Sequence, residues 1–137
     1  MKYFPIIFFL LVLIGCSAAP RFTSDSDSQE SGKIPPGIKI FSGIASYYAD
    51  EYHGKKTASG EIYDMHKLTA AHINLPFNTR VKVTNLKNSK IVIVRINDRM
   101  PDFKNRVIDL SYGAAIKLDM IRDGIVEVKV EILETGN

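Results

Sequence analysis

The stretch from Arg80 to Ile96 constrains the fold more than any other part of the chain. Arg80 to Leu86 (RVKVTNL) alternates Val81 and Val83 with Lys82 and Thr84, the period of a strand with one buried face. Lys87-Asn88-Ser89 supplies a turn, and Lys90 to Ile96 (KIVIVRI) returns as a more continuously apolar strand. The two read as a β-hairpin. Phe41 to Tyr48 (FSGIASYY) reads as an earlier strand, and Gly124 opens a last one over Ile125 to Leu133. Helical signal is scarce. Ser111 or Asp109 is placed to cap a short helix over Tyr112 to Leu118, and Leu68 to His72 reads as one turn. Strands dominate the stretch 41–134, with one or two short helices. A mainly β fold, closed into a small barrel that leaves no exposed edge, is the expectation.

Nothing covalent helps to hold such a fold together. The 137 residues contain a single cysteine, Cys16, so no intrachain disulfide forms and the domain must rest on packing. The three histidines, His53, His66 and His72, make neither a zinc-spaced cluster nor an HExxH pattern. No metal or cofactor is expected. A net charge of +3 is spread along the chain without a basic block, so nucleic-acid binding is not expected.

The first forty residues have a different texture. MKYFPIIFFLLVLIGC puts Lys2 ahead of a short apolar run that is below the ~20 residues a membrane-crossing helix needs. It has the length of a signal-peptide core. Leu13-Ile14-Gly15-Cys16 resembles a bacterial lipobox, in which the cysteine is lipidated. Residues 1–15 are therefore expected to be a lipoprotein signal peptide, with Cys16 as the membrane anchor. Ser17, not being Asp, favours the outer membrane by the usual lipoprotein sorting rule. Residues 16–40, rich in Ser, Pro, Gly and acids, read as a flexible tether, and 41–134 as the folded domain.

Within that domain a few polar residues stand out. The loop Gly54 to Asp64 (GKKTASGEIYD) presents Glu61 and Asp64. Leu68 to His72 ends a mostly apolar stretch on an imidazole. Arg95-Ile96-Asn97-Asp98-Arg99 closes the most hydrophobic strand with two guanidiniums, an amide and a carboxylate. Carboxylates at strand ends suit acid–base chemistry or sugar hydrogen bonding. Each residue also has a plainer reading: Asp98 as a turn residue paired with Arg99, His72 as a structural histidine, Glu61 as a solvated loop charge, and Asp64 as a turn residue bonding its own backbone.

At these residues the chain resembles the rare lipoprotein A family of peptidoglycan lytic transglycosylases. The stretches that carry the resemblance are GIASYYADEYHGKKTASGEIYDM (43–65), LTAAHINLPFNTRVKVTNL (68–86), VRINDRMP (94–101) and RVIDLSYGAA (106–115). The resemblance implies a six-stranded double-psi β-barrel and cleavage of glycan strands between N-acetylmuramic acid and N-acetylglucosamine, leaving 1,6-anhydromuramyl ends. Carried over residue by residue, the family's loop glutamate falls on Glu61, its AAH histidine on His72 and its NDR aspartate on Asp98. Asp98 is the expected acid, then base. His72 is expected to orient it or to bind a sugar hydroxyl, and Glu61 to tune it or to hold an acetamido group. Tyr47, Asp64, Asn97 and Arg99 are expected to contact substrate, with Tyr47 and Tyr48 offering stacking faces of which alternation turns one inward.

Two departures follow. Where the family has glycine before the proline of its NDR segment, this chain has Met100, which either occupies a backbone site suited to glycine or narrows the groove beside Asp98. The chain also ends at Asn137 without the septal glycan-binding repeat of larger relatives, so division-site targeting through that module is not expected. An acid active near neutrality needs burial or a neighbouring carboxylate, and Glu61 is the candidate neighbour. The expected partners are glycan strands and a membrane, reached through Cys16 on its periplasmic side. Three other readings stay open: a wall-binding lipoprotein of expansin type, a hydrolase, and a scaffold contacting wall-synthesis or division proteins.

Overall fold

The computed structural model describes Gly37 and residues 39–137. The leader, Cys16 and nearly all of the tether lie outside the described residues. Six strands close into one barrel: β1 (Ile40–Tyr47), β2 (Thr69–Ala71), β3 (Arg80–Asn85), β4 (Ile91–Asp98), β5 (Arg106–Leu110) and β6 (Val126–Glu134). Around the barrel the order is β1, β5, β2, β4, β3, β6. The pairs β1–β5 and β2–β4 are parallel and all others antiparallel. Exchanging β1 with β4, β2 with β5 and β3 with β6 leaves this pattern unchanged. The barrel is thus two interlocked copies of one β-motif, the double-psi arrangement.

The expected hairpin is present as β3 and β4, in the register Val81 opposite Val94 and Val83 opposite Val92. Those four valines point inward with Ile96, Ile108, Leu110, Val128 and Val130, nearly all of them fully buried. Side chains of this kind each contribute about 1.5–3 kcal/mol when removed from water. Alternation along β4 turns Ile91, Ile93 and Arg95 the other way, toward the barrel's outer surface.

Two local expectations need correction. Leu68 to His72 is not a helical turn. Thr69–Ala71 is a buried strand wedged between β4 and β5. Three small residues are too short to show a period, and their two neighbours supply the hydrogen bonds that make them a strand. Asp109 does not cap the helix but lies inside β5, a strand that periodicity alone did not reveal. Ser111 is the cap of α1 (Tyr112–Lys117), its Oγ accepting from the Ala114 N–H. A single 3₁₀ turn, Asp50–Tyr52, follows β1.

Candidate active site

Register brings two carboxylates to one level of the barrel. Ala71 in β2 pairs with Asp98 on one side and with Asp109 on the other. At ~4.8 Å per strand spacing, the two aspartate backbones stand roughly 10 Å apart. The residue between them is a fully buried alanine. Both aspartates line a groove of about 600 Å³ shared with Ser46, Tyr47, Tyr48, Tyr52, Arg99, Met100 and Phe103.

Each carboxylate is held by a hydroxyl from β1 or the residue just past it. The Tyr48 hydroxyl donates to Asp98 Oδ2 at 2.7 Å. Two residues back on the same face, the Ser46 hydroxyl donates to Asp109 Oδ1. The backbone N–H groups of Ala58 and Arg99 both donate to Asp98 Oδ1 at 2.8 Å. Asp109 has Arg106 instead, whose Nε lies 3.0 Å from Oδ1 and Nη2 3.4 Å from Oδ2. Nη2 donates a long hydrogen bond to Oδ2, whereas the Nε contact is electrostatic, its N–H not being aimed along a hydrogen bond. The Arg106 guanidinium also stacks on Phe103 at 4.0 Å.

Tyr48 is half-buried among Tyr63 and Tyr52, with ring centroids 4.8 and 5.7 Å away. Burial first, then the bond to Asp98 and that carboxylate's charge, push its phenol far above the ordinary tyrosine value. It therefore remains a protonated donor at any physiological pH. Tyr47 lines the groove, but its hydroxyl is spent on the Ile121 carbonyl at 3.0 Å and its ring packs on the core. Of the adjacent tyrosines, Tyr48 is the one on Asp98.

Arg99 turns away from the Asp98 carboxylate. Its guanidinium stacks on Phe77 at 4.1 Å and makes long contacts to the carbonyls of Asp98 (3.3 Å) and His72 (3.5 Å). Met100 is buried and forms part of the groove wall. It is not among the residues with positive φ, so its backbone is not one that calls for glycine.

His72 sits beside Asp98 but does not orient its carboxylate with the imidazole. Its backbone N–H donates to the Asp98 carbonyl at 3.2 Å. Nδ1 accepts the N–H groups of Asn74 and Leu75 at 3.2 and 3.1 Å, and the ring packs edge-on against Phe41. Burial, and then the charge of Arg99, hold the imidazole below its usual pKa. A neutral ring whose Nδ1 is the acceptor carries its proton on Nε2.

Glu61 departs furthest from expectation. Both of its oxygens accept from Arg95 Nη1, at 3.0 and 3.1 Å, and the same nitrogen donates to Asn78 Oδ1 at 3.0 Å. Burial alone would raise the Glu61 pKa. Hydrogen bonds from Arg95 and Asn97, with the charges of Arg95 and Lys67, outweigh it and hold the carboxyl below its ordinary value. Glu61 lines a smaller groove, about 320 Å³, with Asp64, Lys67, Thr69, Arg95 and Asn97, and this groove shares no residue with the larger one. It does not serve as the charged neighbour of Asp98. Asn97 is buried, and Asp64 accepts from the His66 N–H at 2.9 Å, the turn bond expected of it.

A sequence model of the lytic transglycolase family matches residues 40–130. The chain belongs to the lytic transglycolase family. Its relatives include proteins named endolytic peptidoglycan transglycosylase RlpA. It is 54% identical to the one from Campylobacter jejuni over 95 residues, covering 69% of this chain and 34% of that protein. For Helicobacter pylori strain J99 the figures are 52% over 104 residues, 76% and 33%. For Vibrio cholerae they are 49% over 101 residues, 74% and 38%. The chain thus spans about a third of the length of the curated relatives it matches.

Solved structures show that the lytic transglycolase barrel is shared more widely. A variant of the Clavibacter michiganensis expansin in complex with cellohexaose superposes with a TM-score of 0.58 at 15% identity, over 72% of this chain and 52% of that one. The Streptomyces papain inhibitor does so with a TM-score of 0.53 at 22% identity, over 69% and 94%. At such identities the likeness is one of fold alone. Within the family's matched segment, sequence reasoning overlooked Asp109 as a groove residue. Its place in RVIDLS resembled a helix cap, and only pairing across Ala71 brings it level with Asp98.

Proposed function

We propose that this domain is a lytic transglycosylase that cleaves peptidoglycan glycan strands between N-acetylmuramic acid and N-acetylglucosamine, with Asp98 as acid and then base. The observation that carries the reading is the asymmetric holding of Asp98 in the groove wall of a family member. Two backbone N–H groups occupy Oδ1, so a proton on this carboxyl belongs on Oδ2, beside Tyr48. Oδ2 gives that proton to the glycosidic oxygen as the bond from muramyl C1 breaks. The C6 hydroxyl of the same sugar attacks C1 and returns its proton to Oδ2, so no water is consumed. Positive charge develops at C1 in between, and the Asp109 carboxylate in the same groove is suited to stabilise it. Tyr52 and Phe103 add aromatic faces to the groove walls for the sugars.

Asp109 also supports a second reading. Two carboxylates flanking a groove are the equipment of a glycoside hydrolase, in which one activates water. Digestion of purified sacculi by the full chain, read by mass spectrometry, separates the two. Anhydromuramyl ends support the transglycosylase, reducing ends the hydrolase, and retention on sacculi without release a wall-binding protein.

We also propose that Cys16 is lipidated and holds the domain on the periplasmic face of a bacterial membrane, in the outer membrane by virtue of Ser17. The apolar run ending in Leu13-Ile14-Gly15-Cys16 supports this. Fatty-acid labelling that disappears in Cys16→Ala would bear it out, and labelling that persists would overturn it.

A further inference from the structure

We propose that the Glu61–Arg95 ion pair is a strut that docks the 54–63 hairpin onto the end of β4, making both of its members positioning residues for Asp98. The inference rests on the reading of Asp98 as the acid.

The hairpin holds its own shape. Gly54 and Tyr63 bond through the Gly54 N–H (2.9 Å), Lys55 and Tyr63 through the Tyr63 N–H (2.8 Å), and Thr57 donates its N–H to the Glu61 carbonyl (2.7 Å). The Thr57 hydroxyl donates to the same carbonyl at 3.0 Å, and Gly60 turns the tip at a positive φ. Its docking to the barrel is sparser. The tip meets β4 at three successive points: the Ala58 N–H on Asp98 Oδ1 at 2.8 Å, the Ser59 N–H on the Asn97 carbonyl at 3.3 Å, and the Glu61 carboxylate on Arg95.

The first of these is the functional one, because the Ala58 N–H is one of the two that occupy Asp98 Oδ1 and leave Oδ2 for the proton. The second is long. The third is the only charged contact, and Arg95 is braced for it by Asn78. Arg95 points outward on β4 while Asp98 faces the groove. The pair therefore acts from outside the groove, through the hairpin and not through substrate. Its side chains are 34% and 43% exposed, so solvent screens it and it adds little to the stability of the whole domain. Its effect falls on the tip, where together with the Asn97 contacts it keeps the Ala58 N–H on Oδ1.

The test compares anhydromuramyl release from sacculi by the full chain and five variants, with amide hydrogen exchange at Ala58 as a second readout. Glu61→Ala and Arg95→Ala should each lower turnover about fivefold, the size expected of one exposed ion pair. Removing both should cost no more than removing either. The exchanged pair Glu61→Arg with Arg95→Glu should return to within about twofold of the parent chain. Glu61→Gln, which keeps an acceptor for Arg95, guards against a swapped pair that fails to fold and should lose no more than about twofold. Ala58 exchange should quicken in the two alanine variants and slow again in the exchanged pair. A loss of about a hundredfold or more in both Glu61→Ala and Glu61→Gln, with Arg95→Ala unaffected, would overturn the strut and put Glu61 on the substrate. Unchanged Ala58 exchange in the alanine variants would overturn it too. If the parent chain itself releases no anhydromuramyl product, the enzyme reading fails, and the exchange readout still decides the strut.

Discussion

Tyr48 donates its hydroxyl to Asp98 Oδ2 at 2.7 Å, joining the first residue past β1 to the last residue of β4. Hydrogen bonds to a charged group are worth ~1.5–3 kcal/mol. Tyr48→Phe removes the bond and keeps the ring among Tyr52 and Tyr63. Turnover on sacculi should fall roughly ten- to a hundredfold, with KM little changed, as steady-state kinetics would reveal. The variant should melt as cooperatively as its parent.

The burial of Tyr48, with this bond, makes stability depend on alkaline pH. The Tyr48 phenol keeps its proton in the fold, held there by burial first and by Asp98 second, whereas in the unfolded chain it ionises near 10.0. Above that pH the folded state binds more protons than the unfolded one, so stability falls as pH rises. The urea midpoint should drop between about pH 9 and about pH 11. Tyr48→Phe should flatten that drop.

Asp98→Asn keeps an amide oxygen for the Ala58 and Arg99 N–H groups but has no proton to give. Loss of a general acid costs about 10²–10⁴ in rate. Anhydromuramyl release should fall to background while the variant still cosediments with sacculi. Release that persists at the parent rate would remove Asp98 from the chemistry.

His72 carries the opposite pH signature. Its imidazole is held below the ordinary value of 6.5 by burial and then by Arg99, so the fold keeps it neutral where the unfolded chain protonates it. Below pH 6.5 the unfolded state binds the extra proton, and stability falls with falling pH until the folded imidazole also titrates. Denaturant midpoints at about pH 8 and about pH 5 should show the fall. His72→Gln should reduce it, since glutamine offers the Asn74 and Leu75 N–H groups an acceptor that does not titrate.

Met100 is 6% exposed and builds the groove wall. Met100→Ala should cost about 2 kcal/mol or more by leaving a cavity, read as a lower melting temperature. It should also shift KM for glycan, because the wall beside Asp98 recedes. An unchanged melting temperature would mean that the site collapses around the smaller side chain.

What the sequence determined by itself is what repeats locally. Val81 and Val83, then Val92 and Val94, each pair two residues apart, mark β3 and β4, because a strand face repeats every two residues. The apolar face of Val126 to Ile132 marks β6 in the same way. Glu61, His72 and Asp98 each stand in a short, specific pattern that carries the family resemblance. The tertiary structure decided what depends on neighbours distant in the chain. Thr69–Ala71 is a strand only because β4 and β5 hold it from both sides. Asp109 joins Asp98 because both pair with Ala71, and Tyr48 rather than Tyr47 meets Asp98 because the Tyr47 hydroxyl is taken by the Ile121 carbonyl. Glu61 and Asp98, alike in sequence as motif carboxylates, are sent to different grooves because Arg95 and Asp98 lie on opposite faces of β4. Such relationships come from hydrogen bonds and ion pairs that close long loops, and no local period encodes them.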